Sequence, residues 1–177
     1  MTDEELIDKC LKGDSRAQKS LFDKFAPKMM SVCLRYVNDY ERAEDVLQDG
    51  FIKVFKNLEK FKHEGSFEGW IRRTVINTSL DHLRKGKNAP IDTDISEAEY
   101  LAGESENSLS QLRVEEIMEL IQNMPTGYRT VFNLFAIEGY SHQEIADELG
   151  VTESTSKTQY RKARNYLMNI IVERENI

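Results

Sequence analysis

Lys157, Arg161 and Arg164 stand at i, i+4 and i+7, so on a helix they form one cationic face, with Thr158 and Lys162 beside it. Ser156, Ala163, Leu167 and Ile170 fall on another face, suited to packing against preceding helices. Such a helix has the chemistry to lie in a DNA groove, with its first turns near base edges and its cations on phosphates. The residues before it supply the partner helix. Ser141-x-x-Glu144 reads as a capping box, and Ile145, Ala146 and Leu149 as the core side of a short helix. Gly150 then reads as a left-handed turn, Val151 as its plug and Thr152 as the cap of the basic helix. Residues 139–167 therefore read as a helix-turn-helix. A solvated amphipathic face is the alternative for the cations alone; the capping box, the turn and the basic helix together favour DNA.

A second constellation lies in residues 61–87, where Phe61, Phe67 and Trp70 interleave with Lys62, Arg72, Arg73, Arg84 and Lys85. Aromatic rings beside cations suit single-stranded nucleic acid, where a base stacked on a ring is worth about 1–3 kcal/mol. The alternative is a core of Phe67, Trp70 and Ile71 with a basic rim, and Asn77 is open to the same two readings. A third cluster, Glu44, Asp45, Gln48 and Asp49, shares one helix face and reads as a ligand set, a binding surface or a solvated face. Metal binding is disfavoured, because His63, His82 and His142 are scattered and none follows a Glu at i+3. No H-E-x-x-H, C-x-x-C, G-x-S-x-G or phosphate-cradling glycine loop is present, so neither enzyme activity nor a cofactor is expected.

The elements that must hold these residues are helical. The 177-residue chain has nine Gly and three Pro, is 40% hydrophobic and 31% charged, and shows no strand-like alternation. Thr2-x-x-Glu5 opens a helix carrying Leu6, Ile7, Cys10 and Leu11; Gly13 ends it, and Asp14 or Ser15 caps the next. That helix carries Ala17, Leu21, Phe22 and Phe25, and Pro27 marks a break or a first-turn position before Met29, Met30, Cys33, Tyr36 and Val37. Asn38 and Asp39 cap a third helix with the stripe Ala43, Val46, Leu47, Phe51, Val54, Phe55 and Leu58. A break at residues 63–66 precedes a fourth through Trp70, Ile71, Val75, Ile76, Leu80 and Leu83, which Gly86 stops. In the second half, Leu109, Leu112, Ile117, Leu120, Ile121 and Met124 run to Pro125, and Tyr128, Val131, Phe132, Phe135 and Ala136 run to Gly139. The expected architecture is all-α, with two small helical domains joined by an acidic linker.

The net charge of −7 stands at odds with nucleic acid until it is localised. Asp92, Asp94, Glu97, Glu99, Glu104 and Glu106 place six negative charges, and no cation, in residues 91–110. Residues 61–90 hold six cations against three carboxylates, and residues 152–171 hold four against one. Contact with phosphate depends on the field within about a Debye length, about 8–10 Å at ordinary ionic strength, so these local surpluses decide. The acidic start at Asp3, Glu4 and Glu5 is unlike a signal peptide, and no apolar run reaches a membrane-spanning length. A cytoplasmic location without membrane insertion is expected, with Cys10 and Cys33 as buried free thiols.

Three motifs in order resemble the small sigma factors of the extracytoplasmic-function group, members of the sigma-70 family that keep only domains two and four. AEDVLQDGFIKVFKNLEKF, residues 43–61, resembles the helix that grips the clamp coiled coil of RNA polymerase. FKHEGSFEGWIRRTVINTSLDHLRK, residues 61–85, resembles the segment that opens and reads the minus-ten element. YSHQEIADELGVTESTSKTQYRKAR, residues 140–164, resembles the helix-turn-helix that reads the minus-thirty-five element. The resemblance implies domain two over residues 1–88, the linker over 89–110 and domain four over 111–177.

By position it implies that Asp45, Gln48, Asp49, Phe51 and Phe55 contact core RNA polymerase, with an all-core role for the two Phe as the alternative. It implies that Lys62, His63, Glu64, Gly65 and Ser66, with Asn77, hold an extruded minus-ten base, which must offset a few kcal/mol of lost stacking. Trp70, Arg72, Arg73 and Arg84 would support that pocket or track the melted strand. Ser154, Lys157, Thr158, Arg161, Lys162 and Arg164 would meet the duplex. Ser156 departs from the pattern, which has an apolar residue there. The implied function is promoter-specific transcription initiation with core RNA polymerase, on duplex and melted promoter DNA, with an anti-sigma factor as a further partner. The alternative is a helix-turn-helix regulator that acts without polymerase. A third class, a helical adaptor that binds only protein, is disfavoured by the two basic surpluses.

Overall fold

The computed structural model describes residues 1–86 and 114–175. The acidic linker of residues 89–110, together with Lys87, Leu109 and Leu112, lies outside the described residues. The chain divides into two units, Met1–Gly86 and Lys87–Ile177. Among the described residues every regular element is helical.

In the first unit, α1 (Asp3–Leu11), α2 (Ser15–Tyr36), α3 (Tyr40–Lys56) and α4 (Phe67–Lys85) pack around one core. Local chemistry sets the ends. Thr2 and Glu5 form the reciprocal capping box, with Thr2 N–H donating to Glu5 Oε2 at 2.8 Å. Asp14 accepts from Arg16 and Ala17 N–H at the start of α2, and Asp39 accepts from Arg42 N–H at the start of α3. Ser66 Oγ accepts from Gly69 N–H and opens α4.

The break expected at Pro27 does not occur, because α2 runs through it. A proline leaves the carbonyl four residues earlier without its helix bond. Here that carbonyl belongs to exposed Asp23 and Pro27 is itself exposed, so water replaces the missing donor on the solvent side.

The core is a junction of α2, α3 and α4. Leu21, Phe25, Met29 and Val32 of α2 meet Val46, Phe51 and Val54 of α3 and Ile71, Val75 and Ile76 of α4. Phe22 meets Phe51 edge-on at 4.8 Å, and Phe25 meets Phe67 at 5.7 Å. Each such buried side chain contributes about 1.5–3 kcal/mol. Gly50 sets the approach of α3 to α4: a Cβ there would sit 3.2 Å from Val75 Cγ2. Thr78 and Ser79 are buried beside this contact, and their hydroxyls donate within α4 to the Thr74 and Val75 carbonyls.

Cys10 and Cys33 are both free and buried. Burial pushes the Cys33 thiol up to about 12 against the opposing effect of the Ser79 hydroxyl. Thiolate is the reactive form, so native protein at pH 8 should leave Cys33 unlabelled by iodoacetamide, whereas urea-unfolded protein takes label at both cysteines. Mass spectrometry of the two samples checks this.

The second unit contains α5 (Val114–Asn123), α6 (Thr126–Phe132), α7 (His142–Leu149) and α8 (Glu153–Glu175). Leu120, Ile121 and Met124 close on Ala163, Leu167 and Ile171 of α8, with Tyr128, Phe132 and Tyr166 packed around them. Near the end of α8 Ile171 is buried, and Ile170, expected on the packing face, is half-buried and packs against the same cluster. The turn between α5 and α6 is organised by Arg129, only 5% exposed, whose guanidinium donates to the Gln122 and Met124 carbonyls at 2.9 and 3.1 Å. Tyr166 adds a bond to the Asn123 carbonyl at 3.2 Å.

From Asn133 to Ile137 the chain forms a π-helical turn instead of continuing as α-helix. The extra residue shifts the inward face. Asn133 and Leu134 are buried, while Ala136, expected in the core stripe, is exposed together with Ile137.

Candidate nucleic-acid interface

The helix-turn-helix is assembled by its caps. Ser141 Oγ accepts from Glu144 N–H at 3.1 Å and Glu144 Oε2 accepts from Ser141 N–H at 2.8 Å, which starts α7. Gly150 ends it at φ +67°, a left-handed conformation that costs a residue with a Cβ about 1–2 kcal/mol. Thr152 Oγ1 accepts from Thr155 N–H at 3.0 Å and starts α8. From this start α8 exposes Ser154, Lys157, Arg161 and Arg164, with Thr158 and Lys162 half-buried at their flank.

Lys157 is paired with Glu153 at 2.8 Å, and that bond holds the Glu153 carboxyl below its ordinary value. Ser156 is fully buried and its Oγ lies 2.9 Å from His142 Nδ1. The apolar residue that the pattern leads one to expect is thus replaced by a polar pair. Burial first, then the Lys157 charge, lowers the His142 pKa, with Glu153 opposing, which favours the neutral imidazole.

The loop between Phe61 and α4 presents Lys62, His63, Glu64, Gly65 and Ser66 to solvent. His63 is held at φ +57° and Gly65 at +86°, so two residues within three are left-handed and the chain turns sharply. Phe61 lies beneath, 4.8 Å from the His63 ring, 5.1 Å from Phe67 and 5.7 Å from Trp70. Trp70 is half-buried, so its ring is a wall of this cluster and keeps one part open. Asn77 stands seven residues on, on the same face of α4, and its Oδ1 is buried without a hydrogen-bond partner. Arg73 and Arg84 are exposed and Arg72 is half-buried.

Arg84 pairs with Asp81 at 3.1 Å, and Asp81 also pairs with Lys53 of α3 at 2.9 Å. Burial raises the Asp81 pKa, but the bond and charge of Lys53, with Arg84 and Lys85, outweigh it and hold the carboxyl below its ordinary value.

The outer face of α3 exposes Asp45, Gln48 and Asp49. Asp49 Oδ2 lies 2.7 Å from His82 Nε2 of α4. Phe51 is only 2% exposed and belongs to the core, while Phe55 is half-buried against it at 6.3 Å. The outward apolar residue is Ile52, 49% exposed, at i+7, i+4 and i+3 from Asp45, Gln48 and Asp49. Ile52 is not marked in the sequence, because an apolar residue inside an apolar-rich helix carries no signal of exposure. Nor are the roles of His142 and Arg129, whose partners become visible only once the helices are packed.

The comparisons with known proteins agree on one family. The profile described as Sigma-70 region 2 matches residues 21–89, and that described as Sigma-70, region 4 matches residues 114–167. The RNA polymerase sigma-H factor of Pseudomonas aeruginosa is 30% identical over 92% of this chain and 90% of its own length. The ECF RNA polymerase sigma-E factor of Haemophilus influenzae is 29% identical over 97% of this chain and 96% of its own length. Among solved structures, CnrH in complex with the cytosolic domain of CnrY is similar with a TM-score of 0.52 and 21% identity, covering 97% of both chains. The sigma factor RpoE of Bartonella quintana, solved with the anti-sigma factor NepR, gives a TM-score of 0.54 at 18% identity over 88% of this chain and 96% of that one. These two likenesses bear on the fold.

Proposed function

The chain belongs to the extracytoplasmic-function group of the sigma-70 family, and from that premise we propose how its surfaces share the work of transcription initiation. It is a sigma factor that directs core RNA polymerase to promoters, and such factors are non-enzymatic. Residues 1–88 serve as domain two, 89–110 as linker and 111–177 as domain four.

The observation that carries the residue-level reading is the exposed face of α8, where Ser154, Lys157, Arg161 and Arg164 share one side of a helix launched from a capped left-handed turn. That geometry suits major-groove entry at the minus-thirty-five element, with Thr158 and Lys162 at the edge of the contact. The Lys62–Ser66 loop, Trp70 and Asn77 form the pocket for an extruded minus-ten base. Its left-handed turn and open ring wall supply shape and stacking, and Asn77 lies seven residues beyond Trp70 along the same face. Arg72, Arg73 and Arg84 guide the strand backbone.

Asp45, Gln48, Asp49 and Ile52 form the polymerase contact, with Phe51 supporting it from the core and Phe55 at its margin. The anti-sigma factor named for the Bartonella protein is proposed as a partner class here also, since exposed Ile52 is a surface that a sequestering chain can cover. Among the described residues no helix is long and apolar enough to cross a membrane, and the site of action is taken to be the cytoplasm.

The test of this assignment is co-elution of the protein with core RNA polymerase on gel filtration, followed by footprinting of the complex on a promoter. Assembly with protection upstream and melting downstream is expected; DNA protection by the protein alone, without core, contradicts it. For the pocket, Trp70→Ala should weaken trapping of the melted strand by about 1–3 kcal/mol. Permanganate reactivity of minus-ten thymines falls accordingly, while a thermal melt shows how much of the loss comes from the Phe61–Phe67 packing.

A further inference from the structure

His142 and Ser156 face each other across the helix-turn-helix, and none of the DNA or polymerase contacts above uses either of them. His142 opens α7 and Ser156 lies in the first turn of α8, yet Nδ1 and Oγ are 2.9 Å apart. Ser156 is fully buried. The imidazole stacks on Phe135 at 4.2 Å with the planes 11° apart, and Tyr160 of α8 closes the group at 4.5 Å from Phe135 and 5.9 Å from His142. The π-helical turn that carries Phe135, the start of α7 and the start of α8 therefore meet at one ring.

The buried side chains of α7 are Ile145 and Ala146, and His142 is half-buried beside them. Apolar contact holds two helices together but is non-directional, whereas a hydrogen bond has a required distance and angle. Ser156 directly precedes Lys157, and the next turn carries Thr158 and Arg161. A tilt of α8 about this point moves those side chains relative to a DNA groove.

We propose that His142 is a positioning residue for promoter recognition: through its bond to Ser156, with the ring fixed on Phe135, it sets the angle at which α8 presents Lys157 and Arg161. This rests on the reading of α8 as the minus-thirty-five helix. His142 touches no base in this account and acts only through Ser156.

The test compares polymerase holoenzyme carrying the wild type, His142→Phe, Ser156→Val or the double variant on two fragments of one promoter, with the upstream element intact or scrambled. Phe keeps a ring against Phe135 but leaves the Ser156 hydroxyl without its partner, and Val leaves Nδ1 without its partner. The double variant removes both polar groups, so neither is left without its partner. Each single should lower the preference for the intact element about tenfold, and the double should recover it to within about threefold of wild type.

All measurements are made well below each variant's thermal midpoint, so a changed preference reports geometry and not unfolding. Singles that keep the full preference, even with a lowered midpoint, overturn the proposal while leaving the reading of α8 intact. A double variant as poor as the product of the singles also overturns it; if one single fails to fold, the double alone decides, and a loss of preference of about tenfold or more relative to wild type overturns the proposal. A wild type with no preference for the intact element overturns the reading of α8 and the proposal together.

Discussion

Ile52→Glu is expected to abolish co-elution with core RNA polymerase while leaving the first unit folded. Ile52 is 49% exposed, so the substitution removes little core packing. It places a third carboxylate beside Asp45 and Asp49 on a surface that must be desolvated when covered. A buried, unpaired charge at the centre of an interface costs several times what the lost apolar contact does, and hot-spot substitutions reach about 2–4 kcal/mol, or roughly 30- to 1,000-fold in affinity. Ile52→Leu, which keeps the apolar surface, should bind within about threefold of wild type. Phe51→Ala is the contrasting variant. Phe51 is buried against Phe22, so its loss is read as a lower thermal midpoint, by about 3–5 kcal/mol of stability, and polymerase binding falls only as the unit unfolds. An Ile52→Glu protein that titrates core polymerase like wild type would remove this face from the contact.

Arg161→Ala should cost about 1–3 kcal/mol at the upstream element if its guanidinium takes a base in bidentate fashion, with the loss confined to promoters that keep that base. Lys157→Ala should act differently. Lys157 already holds Glu153 at 2.8 Å, and the pair is surface-exposed, so DNA exchanges one solvated partner for another and the net change is smaller than at Arg161. As a phosphate contact Lys157 would bind all sequences alike, and its removal would flatten the dependence of log affinity on log salt by about one unit. Occupancy titrations of the holoenzyme at several salt concentrations, on intact and scrambled upstream elements, separate the two patterns. If both variants behave as wild type on the cognate promoter, the recognition face lies elsewhere on α8.

Helix ends were legible in the sequence because their chemistry is local. The Thr2–Glu5 and Ser141–Glu144 boxes, the Asp39 cap, the left-handed Gly150 and the Thr152 cap all join residues within a few positions of each other. The continuous helix through Pro27 was not legible, because it depends on which side of α2 faces water. The π turn at Asn133–Ile137 was missed for a related reason. A regular period carried forward from Tyr128 puts Ala136 inside, and only the packed turn shows Leu134 there instead.

At the site, the cations of α8 and the 62–66 loop were readable because charge and glycine mark exposed chain. Phe51 and Ile52 were not separable, since both are apolar neighbours on one helix and only the packing of α2 and α4 decides which is buried. The His142–Ser156 bond spans fourteen residues and two helices, so no local pattern announces it. Ser156 appeared only as a misfit, and the structure supplies its partner.

The most direct measurement is run-off transcription on genomic fragments with purified core RNA polymerase, with and without this protein. The account predicts discrete transcripts that require both components and that are lost with Ile52→Glu and reduced with Arg161→Ala. Transcripts that are unchanged by the protein, or DNA binding by the protein alone with no promoter-specific product when core is added, would contradict it.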